Sequence, residues 1–111
     1  MNIDTRIIDG STAVIRPEGR LTMVSTAGLR SLVAETVAAG HTHVVVDLSQ
    51  TDFIDSSGLG ALVAGLKTAR QAGGDLRIAR PTEQVRTVLE LTNLDRVLRP
   101  AVSVHGAFGG A

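Results

Sequence analysis

The sequence predicts one α/β domain in which helices pack on a mixed central sheet. Three features of the sequence indicate this fold class. Residues 44–48 form an almost continuous apolar run, which is typical of a strand covered on both faces. Residues 59–69 carry apolar side chains at the spacing of one helix face. Near the start of the chain, Asp9-Gly10 separates two short strand-like segments and favours a tight hairpin turn.

The N-terminal β-hairpin is expected to consist of strands at residues 2–8 and 12–17. Pro17 lacks a backbone N–H, so it either ends the second strand or lies where no neighbouring strand needs that donor. Gly19 then allows the chain to change direction. The hairpin is therefore the first predicted unit of the fold.

A first helix is predicted to begin at Ser25 or Thr26, because hydroxyl side chains cap helix N-termini. Gly40 stands where a helix C-terminal cap belongs. The residues that this helix is expected to turn towards the core are Leu29, Leu32, Val33 and Val37.

The strongest predicted strand covers residues 43–48, because this segment is rich in β-branched residues. Residues 49–54 are expected to form a loop that leads away from the strand. Phe53 and Ile54 would anchor this loop by burial. The strand itself would lie in the centre of the sheet.

A second helix is predicted from about residue 57 to residue 72, where Gly73-Gly74 stops it. Residues 76–79 then form the next strand. Strand, helix and strand together predict a parallel βαβ unit with a right-handed crossover. In open α/β sheets, binding sites lie at the C-terminal ends of such strands, which is where residues 54–60 fall.

A third helix is predicted after Thr82, with Glu83 favourably placed in its first turn. Its inward residues are expected to be Val85, Val88 and Leu89. The whole sheet would carry about three to four helices. The tail, residues 104–111, is rich in glycine and alanine and is expected to fray.

Composition bounds the possible functions. A chain of 111 residues that is 43% hydrophobic and 20% charged suits one ordinary globular domain covering residues 1–111. Aromatic residues make up only 2%, which argues against a base-stacking platform, and the net charge of zero favours neither nucleic acid nor an anionic membrane. The absence of cysteine excludes disulfides and thiolate metal sites. With no signal-peptide pattern and no long apolar run, the expected protein is soluble and cytoplasmic.

The segment Asp55-Ser56-Ser57-Gly58-Leu59-Gly60 organises the rest of the chain. It lies between the strand-like run and the amphipathic helix, and its first residues are of the types that cap helix N-termini. A hydroxyl at this position meets unpaired backbone N–H groups and the positive end of the helix. Such a site can hold a phosphate group without rebuilding the fold.

This segment, together with Ile54, resembles the signature of bacterial anti-sigma factor antagonists, which belong to the sulfate transporter and anti-sigma factor antagonist (STAS) domain family. The resemblance spans roughly residues 3–104 in the order of elements, and its specific part is residues 54–60. It implies that Ser56, directly after the aspartate, is phosphorylated. The partner-binding residues that it implies are Asp55, Ser56, Ser57, Gly58, Leu59, Gly60 and Thr22.

The resemblance also implies a mechanism called partner switching. The unphosphorylated protein binds an anti-sigma factor and so frees a sigma factor. The anti-sigma factor is itself a serine kinase that inactivates the antagonist, and a serine phosphatase restores it. The protein would then be a kinase substrate and not an enzyme, with no cofactor of its own, since ATP and Mg²⁺ belong to the kinase.

This sequence departs from the family at one place near the motif. Family members often carry a Gly-Glu-Leu-Asp-like stretch there, whereas this chain has Gly19-Arg20-Leu21-Thr22. Gly58 and Gly60 raise a separate question, because glycine in a helix costs about 0.8–1 kcal/mol relative to alanine. Either close packing on the sheet or room for a partner could require them. In the second case, Gly58→Ala should fold at least as well as the wild type.

The sequence also bears on three alternatives to this function. A STAS subunit of another assembly, such as a lipid-transport or signalling complex, is the alternative within the family. A serine hydrolase needs a base, and none of the histidines is placed by sequence to serve Ser56. A metal site is disfavoured because the spacing of the aspartates matches no metal-binding loop. The histidines are His41, His43 and His105, and the aspartates are Asp47, Asp52 and Asp55.

Overall fold

The computed structural model describes residues 2–109, which form five strands and five helices. The strands are β1 (Asn2–Ile7), β2 (Thr12–Leu21), β3 (His43–Asp47), β4 (Thr51–Ile54) and β5 (Asp75–Ala79). The helices are α1 (Thr26–Ala38), α2 (Ser56–Gln71), α3 (Glu83–Leu91), α4 (Asp95–Leu98) and α5 (Gly106–Gly109). The predicted α/β class is confirmed, with two of the helices only one turn long.

The sheet is mixed, and β2 is its longest strand. Along the sheet the order is β1-β2-β3-β5, with β1 antiparallel to β2 and both β3 and β5 parallel to it. This order confirms both the N-terminal hairpin and the parallel β3–α2–β5 unit. Strand β4 pairs in parallel with the C-terminal end of β2, so β2 has two different partners along one edge.

Pro17 does not end β2, which continues to Leu21. On the edge that faces β3 and β4, pairing with β3 stops at Ile15 and pairing with β4 starts at Gly19. Pro17 lies in the gap between the two partners, where no ladder bond is lost. Its carbonyl oxygen accepts a hydrogen bond of 3.0 Å from the hydroxyl of Thr51.

The segment predicted as a loop at residues 49–54 contains a strand instead. Thr51 to Ile54 forms β4, in which Thr51 and Ile54 are fully buried and Phe53 is half-buried. The segment is too short and too polar to show a strand pattern by itself, and pairing with β2 decides its conformation. The motif therefore follows this short strand directly, not the central strand β3.

The main core lies between the sheet and helices α1, α2 and α3. It is aliphatic, as the composition predicts, and its largest members are fully buried. They include Ile15, Leu21, Leu29, Leu48, Ile54, Leu62, Leu76, Ile78, Leu89 and Leu98. Leu32 and Val88 are only partly buried but pack against this core.

A smaller core covers the opposite face of the sheet. Val14 and Val45 pack there against Val104 and Ala107 of the C-terminal segment, with Phe108 alongside. Alternate residues of a strand face opposite sides, so β2, β3 and β5 contribute to both cores. The segment for which the sequence predicts fraying thus includes side chains that pack on the sheet, whereas Gly110 and Ala111 lie outside the described residues.

The helix ends follow the predicted chemistry in part. Gly40 adopts a φ of 99° beyond the end of α1, as a C-terminal glycine should. Ser25 precedes α1, but its hydroxyl makes no cap hydrogen bond to the helix, and neither does that of Thr82 before α3. Within residues 2–109, no helix combines the length and the apolar character needed to cross a membrane.

Candidate functional site

The ends of β2 and β4 lie side by side and bring two turns together. Leu21 and Ile54 are paired residues, and the N–H of Asp55 donates to the carbonyl oxygen of Leu21 at 3.3 Å. Because the two strands are parallel, the chain leaves both at the same end of the sheet. Thr22 and Asp55 thus begin two adjacent segments, the turn into α1 and the first turn of α2.

Asp55 is the N-terminal cap of α2, as predicted. Its backbone is extended, with φ −111° and ψ −173°, and its Oδ1 accepts a hydrogen bond of 2.9 Å from the N–H of Gly58. Its carbonyl oxygen accepts the first helical bond, from the N–H of Leu59 at 3.0 Å. These bonds fix the direction in which the next residue, Ser56, leaves the sheet.

The six residues of the motif divide into an outer and an inner group. Ser56 is exposed, and Asp55, Ser57 and Gly60 are half-buried. Gly58 and Leu59 form the inner group, because both are buried. Thr22, on the neighbouring turn, is half-buried. The remaining surface thus centres on the hydroxyl of Ser56.

The two glycines of the motif have different environments. A β carbon on Gly58 would collide with the carbonyl oxygen of Leu21 and would lie 2.6 Å from Cγ1 of Ile54. On Gly60, the nearest atom would be a guanidinium nitrogen of Arg30 at 3.5 Å, which is an ordinary contact. Close packing therefore accounts for Gly58, and it makes the opposite prediction for Gly58→Ala, namely that the variant is less stable than the wild type.

Two side chains at the start of α3 hold the free edge of β4. The amide of Gln84 accepts from the N–H of Ile54 at 3.0 Å and donates to its carbonyl oxygen at 3.4 Å. The hydroxyl of Thr82 donates to the carbonyl oxygen of Thr51 at 2.8 Å. Together they take the place of a neighbouring strand and fix the segment that precedes Ser56. The sequence alone did not identify Gln84, because a glutamine beside a helix start is common.

Arg20 and Phe53 form a second feature that sequence reasoning missed. They are paired residues of β2 and β4, and the guanidinium of Arg20 lies 4.3 Å from the centre of the Phe53 ring. Such stacking holds the cation in a fixed plane while its edges stay available for hydrogen bonds. Arg20 itself is exposed. The motif is therefore flanked by a cation.

Asp47, Asp52 and Asp55 have three different environments. Asp47 is buried, and its carboxylate accepts hydrogen bonds from Arg80 and from the N–H of Ser49. Burial alone would raise the pKa of Asp47, but these hydrogen bonds outweigh burial and lower it below the ordinary value. Asp52 is exposed and Asp55 caps α2. Across residues 2–109, no group of three acidic, histidine or cysteine side chains could hold a metal ion.

The three histidines lie at the other end of the sheet from Ser56. His43 begins β3, opposite Thr12 at the start of β2, and Nδ1 of His41 lies 3.2 Å from the carbonyl oxygen of Gly10. His105 lines a cavity with Ile8 and Asp9 near the same hairpin turn. Ser56 follows strands that end on the opposite side. The arrangement gives the Ser56 hydroxyl no histidine base.

Comparison with known proteins places these features in a family. Residues 2–107 match the family model of the STAS domain. A candidate anti-sigma factor antagonist of Thermotoga maritima is 38% identical over 65 residues, which are 59% of this chain and 58% of that protein. The anti-sigma-F factor antagonist RsfB of Mycobacterium tuberculosis is 31% identical over 101 residues, covering 88% of this chain and 80% of the relative. The match to the Thermotoga protein thus spans less than two thirds of its length.

Among solved structures, the fold is similar to the crystal structure of a candidate anti-sigma factor antagonist from Thermotoga maritima. The TM-score is 0.88 at 28% sequence identity, and the superposition covers 97% of this chain and 92% of that one. The two chains therefore share the same fold over nearly their whole length.

Proposed function

Since this chain belongs to the STAS domain family, we propose that it is an anti-sigma factor antagonist in a partner-switching system. In this proposal the unphosphorylated chain binds an anti-sigma factor that is also a serine kinase, and a sigma factor is released. Phosphorylation of Ser56 dissociates the complex, and a serine phosphatase returns the chain to its unphosphorylated form. ATP and Mg²⁺ are bound by the kinase, and this chain contributes the hydroxyl that accepts the phosphate.

The observation that carries the proposal is the exposure of Ser56 at a rigid helix start. Asp55 holds the first turn of α2 through its bond to Gly58, while Leu59 anchors that turn in the core. The serine hydroxyl is thereby presented on a fixed backbone, which favours recognition because little conformational entropy is lost on binding. The names of the relatives support the choice of partner, because both relatives are named as anti-sigma factor antagonists.

The effect of the phosphate follows from charge. A phosphoserine adds about −1.5 to −2 charges and three strong hydrogen-bond acceptors. A partner surface fitted to a small neutral hydroxyl would have to accept this group beside the carboxylate of Asp55. Like-charge contacts across an interface cost several kcal/mol, and each 1.4 kcal/mol is tenfold in affinity, so we expect a loss of about a hundredfold.

The test uses the purified anti-sigma factors of the genome that encodes this chain. Each is mixed with the chain, ATP and Mg²⁺, and mass spectrometry locates any phosphate; Ser56→Ala should abolish the modification and Ser57→Ala should retain it. Calorimetry then compares the affinity of the phosphorylated and unmodified chains. Modification at Ser57 alone would contradict the assignment of Ser56 as the phosphorylation site. Failure of every anti-sigma factor to bind the unmodified chain would contradict the proposed function.

A further inference from the structure

Strand β1 forms one edge of the sheet, and its outer side has no neighbouring strand. Within residues 2–109 it pairs only with β2. The other edge strand, β5, differs because its outer side pairs with Ala101. An open edge offers N–H and C=O groups to a further strand, and proteins commonly protect it with proline, a bulge or charge. β1 has neither proline nor a bulge, and its two charged residues, Asp4 and Arg6, carry opposite signs.

Three residues of β1 turn their backbone N–H and C=O groups towards this open edge, namely Ile3, Thr5 and Ile7. The N–H of Ile8 donates to the carbonyl oxygen of Thr12 at 3.0 Å, so the residue after β1 bonds to the β2 side. Residues of an antiparallel strand alternate between bonding to the neighbour and facing away from it. Pro17 agrees with this alternation, because it lies opposite Ile3 and has no N–H to donate.

The sequence of β1 is self-complementary about Thr5. When two copies of the strand pair antiparallel with Thr5 opposite Thr5, Asp4 of each copy lies opposite Arg6 of the other. The outward-facing residues then form the hydrogen-bonded pairs, and the charged residues meet at the closer positions between them. A shift of two residues in either direction would set Asp4 against Asp4 or Arg6 against Arg6, which is unfavourable. One register is therefore preferred.

The side chains of β1 are accessible for this pairing. The side chain of Asp4 is 66% exposed although it forms an ion pair with Arg16. Arg6 is exposed and takes part in none of the ion pairs within residues 2–109. On the other face of the strand, Ile7 is 48% exposed, whereas Ile3 packs against the main core. In the paired strands, Ile7 of one copy lies beside Ile3 of the other and loses contact with water.

We propose that two copies of this chain associate through β1 and form one continuous sheet across a two-fold axis at Thr5. Such an interface is isologous, because each copy contributes the same residues. The two copies of β2 run in opposite directions, so the two Ser56 residues lie at opposite ends of the joint sheet. Each copy contributes one short strand, so the dimer is weak and its proportion rises with protein concentration.

Sedimentation of the purified chain from micromolar to millimolar concentration measures this association. Thr5→Pro removes the outward N–H at the axis and leaves the bonds to β2 in place, so it should fold and remain a monomer. Arg6→Asp sets like charges opposite each other and should weaken the dimer about tenfold, more strongly at low salt. Arg96→Asp is the matched control, because Arg96 is exposed on α4 and should not affect the dimer. Thermal unfolding of dilute protein checks that each variant is folded.

A cysteine variant tests the register directly, because the chain contains no cysteine. Thr5→Cys places two thiols across the axis, where paired Cα atoms lie about 5.5 Å apart and a disulfide can form. In Arg6→Cys the two thiols are two residues out of register, which is too far for a disulfide. Under mild oxidation, Thr5→Cys should form a covalent dimer faster than Arg6→Cys. Arg6→Cys should react no faster than Val102→Cys, whose exposed position lies outside β1.

Two results would overturn the proposal at the level of assembly: a wild-type chain that stays monomeric at millimolar concentration, or a Thr5→Pro variant that dimerises like the wild type. Equal cross-linking of Thr5→Cys and Arg6→Cys would also overturn it, since the copies would then meet in another register or through another surface. The inference does not rest on the proposed function, because every measurement uses this chain alone.

Discussion

The carbonyl oxygen of Leu21 lies directly against Gly58, at the point where any other residue would place a β carbon. This oxygen also accepts a hydrogen bond from the N–H of Asp55. One backbone atom of β2 thus fixes both the N-terminal cap of α2, Asp55, and its third residue, Gly58. The close approach is what draws the helix start onto the end of the sheet. It makes one glycine of the motif structural.

Gly58→Ala should therefore destabilise the fold by about 1–3 kcal/mol, because overpacking a rigid core forces the backbone apart. Gly60→Ala is the matched control, since its β carbon meets only the flexible end of Arg30. We expect Gly60→Ala to leave stability unchanged or raise it by up to about 1 kcal/mol. Denaturant unfolding measures both, and equal stability of the two variants would contradict the packing argument.

Gln84→Ala should loosen β4 and the motif that follows it. The N–H of Ile54 would lose its partner at a buried position, which costs about 1–3 kcal/mol. Gln84→Glu keeps the acceptor and should lose less. Hydrogen exchange of the Ile54 amide is the direct measurement, with Glu83→Ala as a control at the start of the same helix. Unchanged exchange at Ile54 would show that Gln84 does not hold the strand.

Asp47→Asn should lower stability at neutral pH and have little effect in acid. The hydrogen bonds from Arg80 and Ser49 keep the pKa of Asp47 below its ordinary value, so the fold favours the ionised form. That contribution is complete above the unfolded pKa, about 3.9, and disappears as the pH falls through the lower folded pKa. We expect a loss of about 1–3 kcal/mol at pH 7, since Arg80 is half-exposed and can regain water.

The measurement for Asp47 is the free energy of unfolding from pH 7 down to pH 2. The difference between Asp47→Asn and the wild type should be constant above about pH 5 and shrink below about pH 4. Asp52→Asn, at an exposed position, is the control and should show no such trend. A difference that persists undiminished at pH 2 would mean that ionisation of Asp47 is not its source.

Phosphorylation of Ser56 should leave the fold intact. The phosphate would lie at the N-terminus of α2, where the free N–H groups and the helix dipole favour an anion by about 0.3–1 kcal/mol. Gly60 is one turn further along the same helix face, and Arg30 lies beside it, so its guanidinium is placed to add to this effect. The melting temperature of the phosphorylated chain should be no lower than that of the unmodified chain.

The control for this prediction is Arg30→Gln, which should reduce any gain in stability on phosphorylation. Affinity for the anti-sigma factor is measured on the same sample. If the melting temperature collapses together with binding, the switch works by unfolding, and the interface account is wrong.

Much of this fold could be predicted because each long element has its own signal. The apolar run of β3, the helical spacing of α2 and the aspartate at its start are local patterns, and the structure confirms all three. Strand β4 could not be predicted, because its four residues become a strand only through pairing with β2. Ser25 lies at the predicted N-cap position of α1, but its hydroxyl forms hydrogen bonds within the preceding turn and none with the helix. A hydroxyl can serve a turn or a helix, and only the three-dimensional path of the chain decides between them.

The motif was predictable as a helix start with an accessible serine, but the surroundings of that serine were not. Gln84 and Arg20 reach the motif from distant parts of the sequence. The exposure of Met23 and Val24 is equally invisible in the sequence, where apolar residues before a helix read as core. The family resemblance pointed to the serine, and the structure added the residues that hold and surround it.

The pairing of β2 with β4 has a consequence for a chain that is still being made. Thr22 and its turn are synthesised well before Ser56, yet the two segments meet only after β4 has joined the end of β2. A nascent or partly unfolded chain carries the serine but not the assembled surface beside it. Under the proposed function, such a chain would not bind an anti-sigma factor, so only a completely folded molecule could take part in the switch.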